Sequence, residues 1–443
     1  MELRDLIVTP IIIFLVYAGA YRIRPYLTDS ITRKYFIPAL TVRIIGALAV
    51  GFIYQFYYDG GDTFNFHTRG SRIIWEAFWD DPIVGIKLLF SSGDLSGDVF
   101  RYALSIPFYN DPSSFAIIRV ATFFDLFTFS SYSATAILFA VLSFSGLWLL
   151  YKVFYNEYPE LHKFLAVACF FIPSVFFWGS GLLKDTITLT ALSIAIYCSY
   201  RIFLQRRYSL LLIVALIACV YTLYIIKIYI LLILLPSLII WVSLTQLSKI
   251  KGKILKILIA PIVFGISITI AGYSIIKASE DNPKYRLDAI AKTARITAYD
   301  IRFWTGRDAG SGYTLGNLDG TVTSLIKLAP DAINVALFRP YLWEVSNPLM
   351  LISSMESVFF LVAVLLLIFR SFASYFYSLK DPIFIFCLLF SITFAFGVGV
   401  STFNFGTLSR YKIPMLPFFT VALIIVHYHS NSFKKFSEFA DNE

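Results

Sequence analysis

Runs of about 18 or more consecutive apolar residues recur along the whole of this chain. Each is long enough to cross a roughly 30 Å hydrocarbon core as a helix. In that core the backbone must satisfy its own hydrogen bonds, which leaves helices or a closed barrel. The runs are continuous and do not alternate as barrel strands do, so an all-α polytopic membrane protein is expected. The runs predict about eleven spans, at roughly 6–21, 36–58, 133–153, 162–178, 186–203, 209–225, 228–245, 255–277, 350–369, 382–400 and 411–428. Only 15% of the residues are charged, against roughly 25% in soluble domains. A single integral-membrane domain over residues 1–443 is the simplest organisation.

The net charge of +9 raises nucleic acid as a partner, but its distribution argues for membrane topology instead. Bases gather in short loops: Arg22, Arg24, Arg33 and Lys34; Arg201, Arg206 and Arg207; Lys249, Lys251, Lys253 and Lys256. These loops share one side, which the positive-inside rule makes cytoplasmic, with the C-terminus on that side too. The first run, 6–21, is followed directly by Arg22 and Arg24 and by no small-residue cleavage site, so it reads as a retained helix. Cys169, Cys198, Cys219 and Cys387 all lie inside spans, without disulfide or metal spacing, and read as packing residues.

Two outer segments are too long to be simple connectors. The first, 59–132, contains amphipathic pieces at 69–79 and 82–90, as expected of helices lying in the interface. Its stretch 113–130 reads as an interfacial or re-entrant helix or an extra span, with Arg119 and Asp125 expected to pair. The second, 278–347, carries the Gly-rich run Trp304 to Tyr313, expected to be a mobile lid.

The polar chemistry concentrates on the outer side. Asp59-Gly60-Gly61-Asp62-Thr63-Phe64-Asn65-Phe66-His67 follows the second span. Gly179-Ser180-Gly181 precedes Lys184-Asp185 at the start of the fifth, and Lys227 sits in a tight turn. Arg339 and Glu344 precede the ninth span, and Arg410 and Lys412 enter the last. Lys184, Lys227, Arg410 and Lys412 run against the charge bias of short outer loops, so an anion is the expected ligand. Phosphate fits: lysine binds it by charge and arginine by a bidentate fork. Asp62 is the candidate base for an acceptor hydroxyl and a candidate ligand for Mg²⁺ or Mn²⁺, with His67 assisting. Lys184, Asp185, Arg339, Glu344, Arg410 and Lys412 are the candidate phosphate-binding set. Each has a plainer reading: a cap for Asp59 or Asp62, an interfacial position for His67, and a local ion pair for Lys184 with Asp185 and for Arg339 with Glu344. Headgroup contacts would explain Arg410 and Lys412. Snorkelling would explain Lys227 and, toward the cytoplasm, Arg43.

An acid in a large outer loop soon after an early span, followed by amphipathic helices, resembles the GT-C superfamily of membrane glycosyltransferases. Asp62 and the stretch 69–90 carry that resemblance. It implies a polyprenyl-phosphate sugar donor, held by bases such as Lys184, Arg410 and Lys412, and action at the outer face of a bacterial inner membrane. The acid here follows the second span where the family has it after the first, and the family's large soluble C-terminal domain is absent. The chain is also similar in character to O-antigen-type polysaccharide polymerases. A lipid-linked sugar flippase is the alternative without chemistry.

Overall fold

The computed structural model describes residues 2–91, 97–250, 289–305 and 310–440, with only scattered positions between 251 and 288. Within them the chain is all-helical, with no strand, and it has the helices of a multi-pass membrane protein. Seven helices are long and apolar enough to cross a bilayer: Leu3–Leu27, Arg33–Phe56, Tyr132–Glu157, Lys184–Leu204, Leu210–Ser248, Pro348–Arg370 and Pro382–Thr402. The bent pair Phe405–Tyr411 and Leu416–Ser430, turned by 70°, makes an eighth if it is one span.

The difference from the expected eleven can be located. The runs 209–225 and 228–245 emerge as one 39-residue helix whose only non-helical residue is Lys227 (φ −147°, ψ 75°). The run 162–178 is divided into His162–Ala166, a π-helical turn over Val167–Phe171 and Pro173–Trp178. Pro173 brings no N–H to continue the preceding hydrogen-bond ladder. The run 255–277 lies for the most part outside the described residues.

The chain forms two compact units. The first comprises Met1–Phe171, Val175–Tyr197 and Ile213–Lys227; the second comprises Ile172–Ser174, Cys198–Leu212 and Ile228–Glu443.

In the first unit, α1 (Leu3–Leu27), α2 (Arg33–Phe56) and α8 (Tyr132–Glu157) pack together. Contacts from Phe36 to Trp148, from Arg43 to Ser143 and from Gly51 to Tyr132 set α2 antiparallel to α8. A Cβ at Gly46 would lie 2.1 Å from the Phe176 carbonyl oxygen, so only glycine permits that approach. Close backbone contact through small residues is how membrane helices associate. Leu6, Phe14 and Leu15 of α1 face outward, as lipid-facing side chains do. Between α2 and α8 run α3 (Asp62–Phe66), a π-helical turn over His67–Ser71, α4 (Arg72–Asp80), α5 (Pro82–Phe90), α6 (Phe100–Ala103) and α7 (Pro112–Thr128). The amphipathic pieces expected at 69–79 and 82–90 thus form α4 and α5. Asp81 accepts from the Ile83 N–H, and Asp111 from those of Ser113 and Ser114. Each precedes a proline at the first helical position, where the missing N–H is no loss.

Three further helices complete the labels used for the middle of the chain: α9 (His162–Ala166), α10 (Pro173–Trp178) and α11 (Lys184–Ser199), followed by the long α12 (Leu210–Ser248). The second unit holds α13 (Ile290–Thr305), α14 (Val322–Lys327), α15 (Ala329–Phe338), α16 (Pro348–Ser378), α17 (Pro382–Thr402), α18 (Phe405–Tyr411) and α19 (Leu416–Ala440). Its core is aromatic: Trp241 stacks on Phe386 at 4.6 Å, and Phe390 packs edge-on against Phe418 at 4.8 Å. A Cβ at Gly399 would come within 2.1 Å of the Ala332 carbonyl oxygen, fixing the contact of α17 with α15. The four cysteines are buried and form no disulfide among the described residues.

Arg43 does not snorkel. It is fully buried, and its guanidinium donates to the carbonyl oxygens of Val175 at 2.7 Å, Gly179 at 3.3 Å and Cys169 at 3.4 Å, and to the hydroxyls of Ser143 and Ser180, both at 3.4 Å. These carbonyls lie in the π turn, in α10 and just after it, and two of them also accept a second donor, Val175 O from the Gly179 N–H and Gly179 O from Ser143 Oγ. The guanidinium's fixed fork of donors serves several acceptors at once.

Candidate functional site

The residues of the first unit expected on the outer side include several that come together. After α2, Asp59, Gly60 and Gly61 all take positive φ (52°, 122° and 120°), a left-handed turn that the two glycines permit. It reverses the chain and sets Asp62, half-buried, at the start of α3. Lys184 opens α11, and its Nζ donates to Ser113 Oγ at 2.7 Å and lies 3.3 Å from Asp111 Oδ2. Asp62 also acts electrostatically on Lys184, as does Lys227. Asp185, almost fully buried, pairs with Lys227 at 2.5 Å. The set is Asp62, Asp111, Lys184, Asp185 and Lys227: three carboxylates and two ammonium groups from α3, the cap of α7, α11 and the break in α12.

This corrects two expectations. Lys184 and Asp185 are not a local pair; each takes a distant partner. Neighbours on a helix point about 100° apart, so adjacency in sequence gives no adjacency of side-chain heads. Lys227 does not snorkel, and its ammonium is buried against Asp185.

Asp111 is the residue that sequence reasoning missed. The signal was present: an acid before Pro112 and an apolar run is a helix-start signature. Burial alone would raise the Asp111 carboxyl. Hydrogen bonds from Ser114 and Ser113 and the Lys184 ammonium outweigh it and hold it at about 2, below the ordinary 3.8. A carboxyl depressed in the folded state adds stability that is fully present above its unfolded pKa and is lost as pH falls through the folded value. The stability difference between wild type and Asp111→Asn is therefore expected to be present at neutral pH and to vanish between about pH 4 and pH 2. Thermal unfolding of both proteins across that range measures it, and a constant difference would show that the charge is not what Asp111 contributes.

His67 is not on the outer surface, where it was expected. It is fully buried in the π-helical turn, 3.3 Å through Nε2 from Asp125 Oδ1 and edge-on to Tyr132. Asp125 in turn accepts from Ser71 and Thr135, both at 2.6 Å. Arg119 donates to the carbonyls of Leu89 and Ser91, so the expected Arg119–Asp125 pair does not form. Neither ring nitrogen of His67 makes a hydrogen bond among the described residues, so its contact with Asp125 is one of proximity.

No family model, curated protein sequence or solved structure matches the chain. Function must therefore be argued from the side chains themselves.

In the second unit, Arg339 forms a bidentate pair with Glu344 through Nε and Nη2. Glu344 also accepts from the Tyr341 N–H at 2.8 Å. Arg339 lies over the rings of Phe405, Tyr341 and Tyr313. The fork expected for a phosphate is thus occupied by Glu344. Lys412 is fully buried, donating to Ser357 Oγ at 3.2 Å with Glu356 Oε1 3.9 Å away, which removes it from a headgroup surface. Arg410 is half-buried near the end of α18. Of the expected lid, 306–309 lie outside the described residues. The part that is described is pinned, with Tyr313 N–H donating to Phe403 O and Phe405 N–H to Ser311 O.

Among the described residues, no three His, Cys, Asp or Glu side chains gather where they could hold a metal ion. The positive charge of this site comes from lysine.

Proposed function

We propose that the chain is a membrane glycosyltransferase. It moves a sugar or glycan from a polyprenyl-phosphate or diphosphate carrier to an acceptor hydroxyl at the outer face, in cell-surface glycan synthesis. The observation that supports this reading is the gathering of half-buried Asp62 with Lys184 in the first unit, where the Asp62 charge acts on the Lys184 ammonium beside its ion-pair partner Asp111. In the reaction, the acceptor oxygen bonds to the anomeric carbon as its proton passes to Asp62. The bond from that carbon to the phosphate oxygen breaks, and the electron pair leaves with the phosphate. Lys184 stabilises the departing charge. The remainder of the topology belongs to the same proposal: eleven crossings, with the break at Lys227 separating two of them, in a bacterial inner membrane with a cytoplasmic C-terminus.

The test is binding of undecaprenyl phosphate by protein in lipid nanodiscs. Lys184→Ala is expected to weaken it about tenfold, the worth of one charge-assisted contact of about 1.4 kcal/mol. Unchanged binding would remove Lys184 from the phosphate site.

A second reading, a lipid-linked sugar flippase, draws on the buried Asp185–Lys227 and Glu356–Lys412 pairs, because ionisable groups inside membrane helices often mark transport paths. Movement of a fluorescent polyprenyl-phosphate sugar across proteoliposomes without sugar transfer would favour it.

A further inference from the structure

The second and third turns of α16 carry an unusual concentration of buried polar atoms. Ser353, Ser354, Glu356 and Ser357 all lie within five residues, and all are buried. Glu356 is the one acid in the apolar run 348–369. Its Oε2 accepts from the Ser174 N–H at 2.8 Å. Its Oε1 and the hydroxyls of Ser353 and Ser354 find no hydrogen-bond partner among the described residues.

Other serines in the helices of this unit behave differently. Ser237, Ser378, Ser391 and Ser401 each donate to the carbonyl four residues back, at 2.7–2.8 Å. That bond is open to any helical serine and costs little. Ser353 and Ser354 forgo it, so their hydroxyls are directed to something else. Lys412 completes the surroundings. Its ammonium gives one hydrogen to Ser357, which itself donates to Arg339 O at 3.0 Å, and has two more to give. Its 3.9 Å distance to Glu356 Oε1 is too long for a direct hydrogen bond and fits two groups sharing a third molecule.

We propose that Ser353, Ser354, Glu356 and Lys412 form an internal hydration site. The ligand must be uncharged, because the ammonium and the carboxylate already offset each other. It must both accept and donate, from Lys412 and to Glu356 Oε1. It must be small, because every group around it is shielded from solvent. Water meets all three conditions, and buried polar groups with spare capacity are where internal waters sit. The bridging water lets a carboxylate and an ammonium stand side by side in apolar surroundings without direct contact.

Pulsed hydroxyl-radical labelling in oxygen-18-labelled water, read by mass spectrometry, tests this on the full chain in nanodiscs. Radicals generated at a bound water modify the side chains touching it, however deeply they are buried. Wild type is expected to carry the heavy-oxygen label on the peptide containing Ser353 to Ser357. The equally buried Phe386 and Phe390 serve as unlabelled controls. In Ser353→Ala/Ser354→Ala, a change small enough to keep the fold, the label is expected to drop severalfold, with the controls unchanged. An unlabelled peptide in wild type, or undiminished label in the double variant, would overturn the proposal.

Discussion

Replacing Arg43 by methionine is expected to cost about 1–3 kcal/mol of stability, the range for removing buried hydrogen-bond donors from neutral acceptors. The guanidinium serves three carbonyl oxygens and two hydroxyls with no solvent access. Methionine fills much of the same volume but removes these donors, although the Val175 carbonyl keeps the Gly179 N–H and the Gly179 carbonyl keeps the Ser143 hydroxyl. Arg43→Lys should fall between, since an ammonium keeps the charge but presents three hydrogens in place of the fork. The midpoint of unfolding in detergent, followed by helical circular dichroism, measures all three proteins. A methionine variant as stable as wild type would mean that the guanidinium's hydrogen bonds add nothing to the stability of the fold.

Asp62→Asn is expected to lower sugar transfer by about 10²–10⁴-fold, the range for losing a general base. The amide is nearly isosteric, so the turn through Gly60 and Gly61 and the start of α3 should persist. Undecaprenyl phosphate binding should therefore remain near the wild-type value, because Lys184 is untouched. A loss of kcat with retained donor binding separates a base from a structural residue. If the variant transferred sugar at the normal rate, Asp62 would not be the base, and the glycosyltransferase reading would lose its acid.

The sequence was informative where chemistry is local. The apolar runs marked most of the helices, because burial in lipid demands unbroken apolar length. Asp59-Gly60-Gly61 marked the turn that presents Asp62, because consecutive positive φ values need glycine. The amphipathic pieces of 69–90 became α4 and α5 for the same local reason.

Pairings were not legible. Lys184 meets Asp111, 73 residues away, and Lys227 meets Asp185, 42 away. A single sequence carries no trace of such distances. Continuity also misled: 162–178 is apolar throughout, yet Pro173 and the π turn divide it. The burial of His67 follows from that same kind of departure. The π-helical turn at His67–Ser71 carries its ring inward beside Asp125, where its place after the second span suggested an outer or interfacial position. Glu356 was overlooked, although a lone acid in a long apolar run is itself a signal.

The position of Arg43 also constrains the order of biosynthesis. Its partners lie between 100 and 137 residues further along the chain. At roughly 5–20 residues per second, the ribosome needs on the order of ten seconds to make them after α2 has emerged. During that interval α2 carries a cation with none of its eventual acceptors yet synthesised. Deep insertion of α2 is disfavoured until Gly179 has followed. The insertion machinery, or water at the bilayer edge, must shelter the guanidinium for that time. The arginine thus acts as a checkpoint, and α2 reaches its final depth only when the segment ending at Gly179 arrives to receive it.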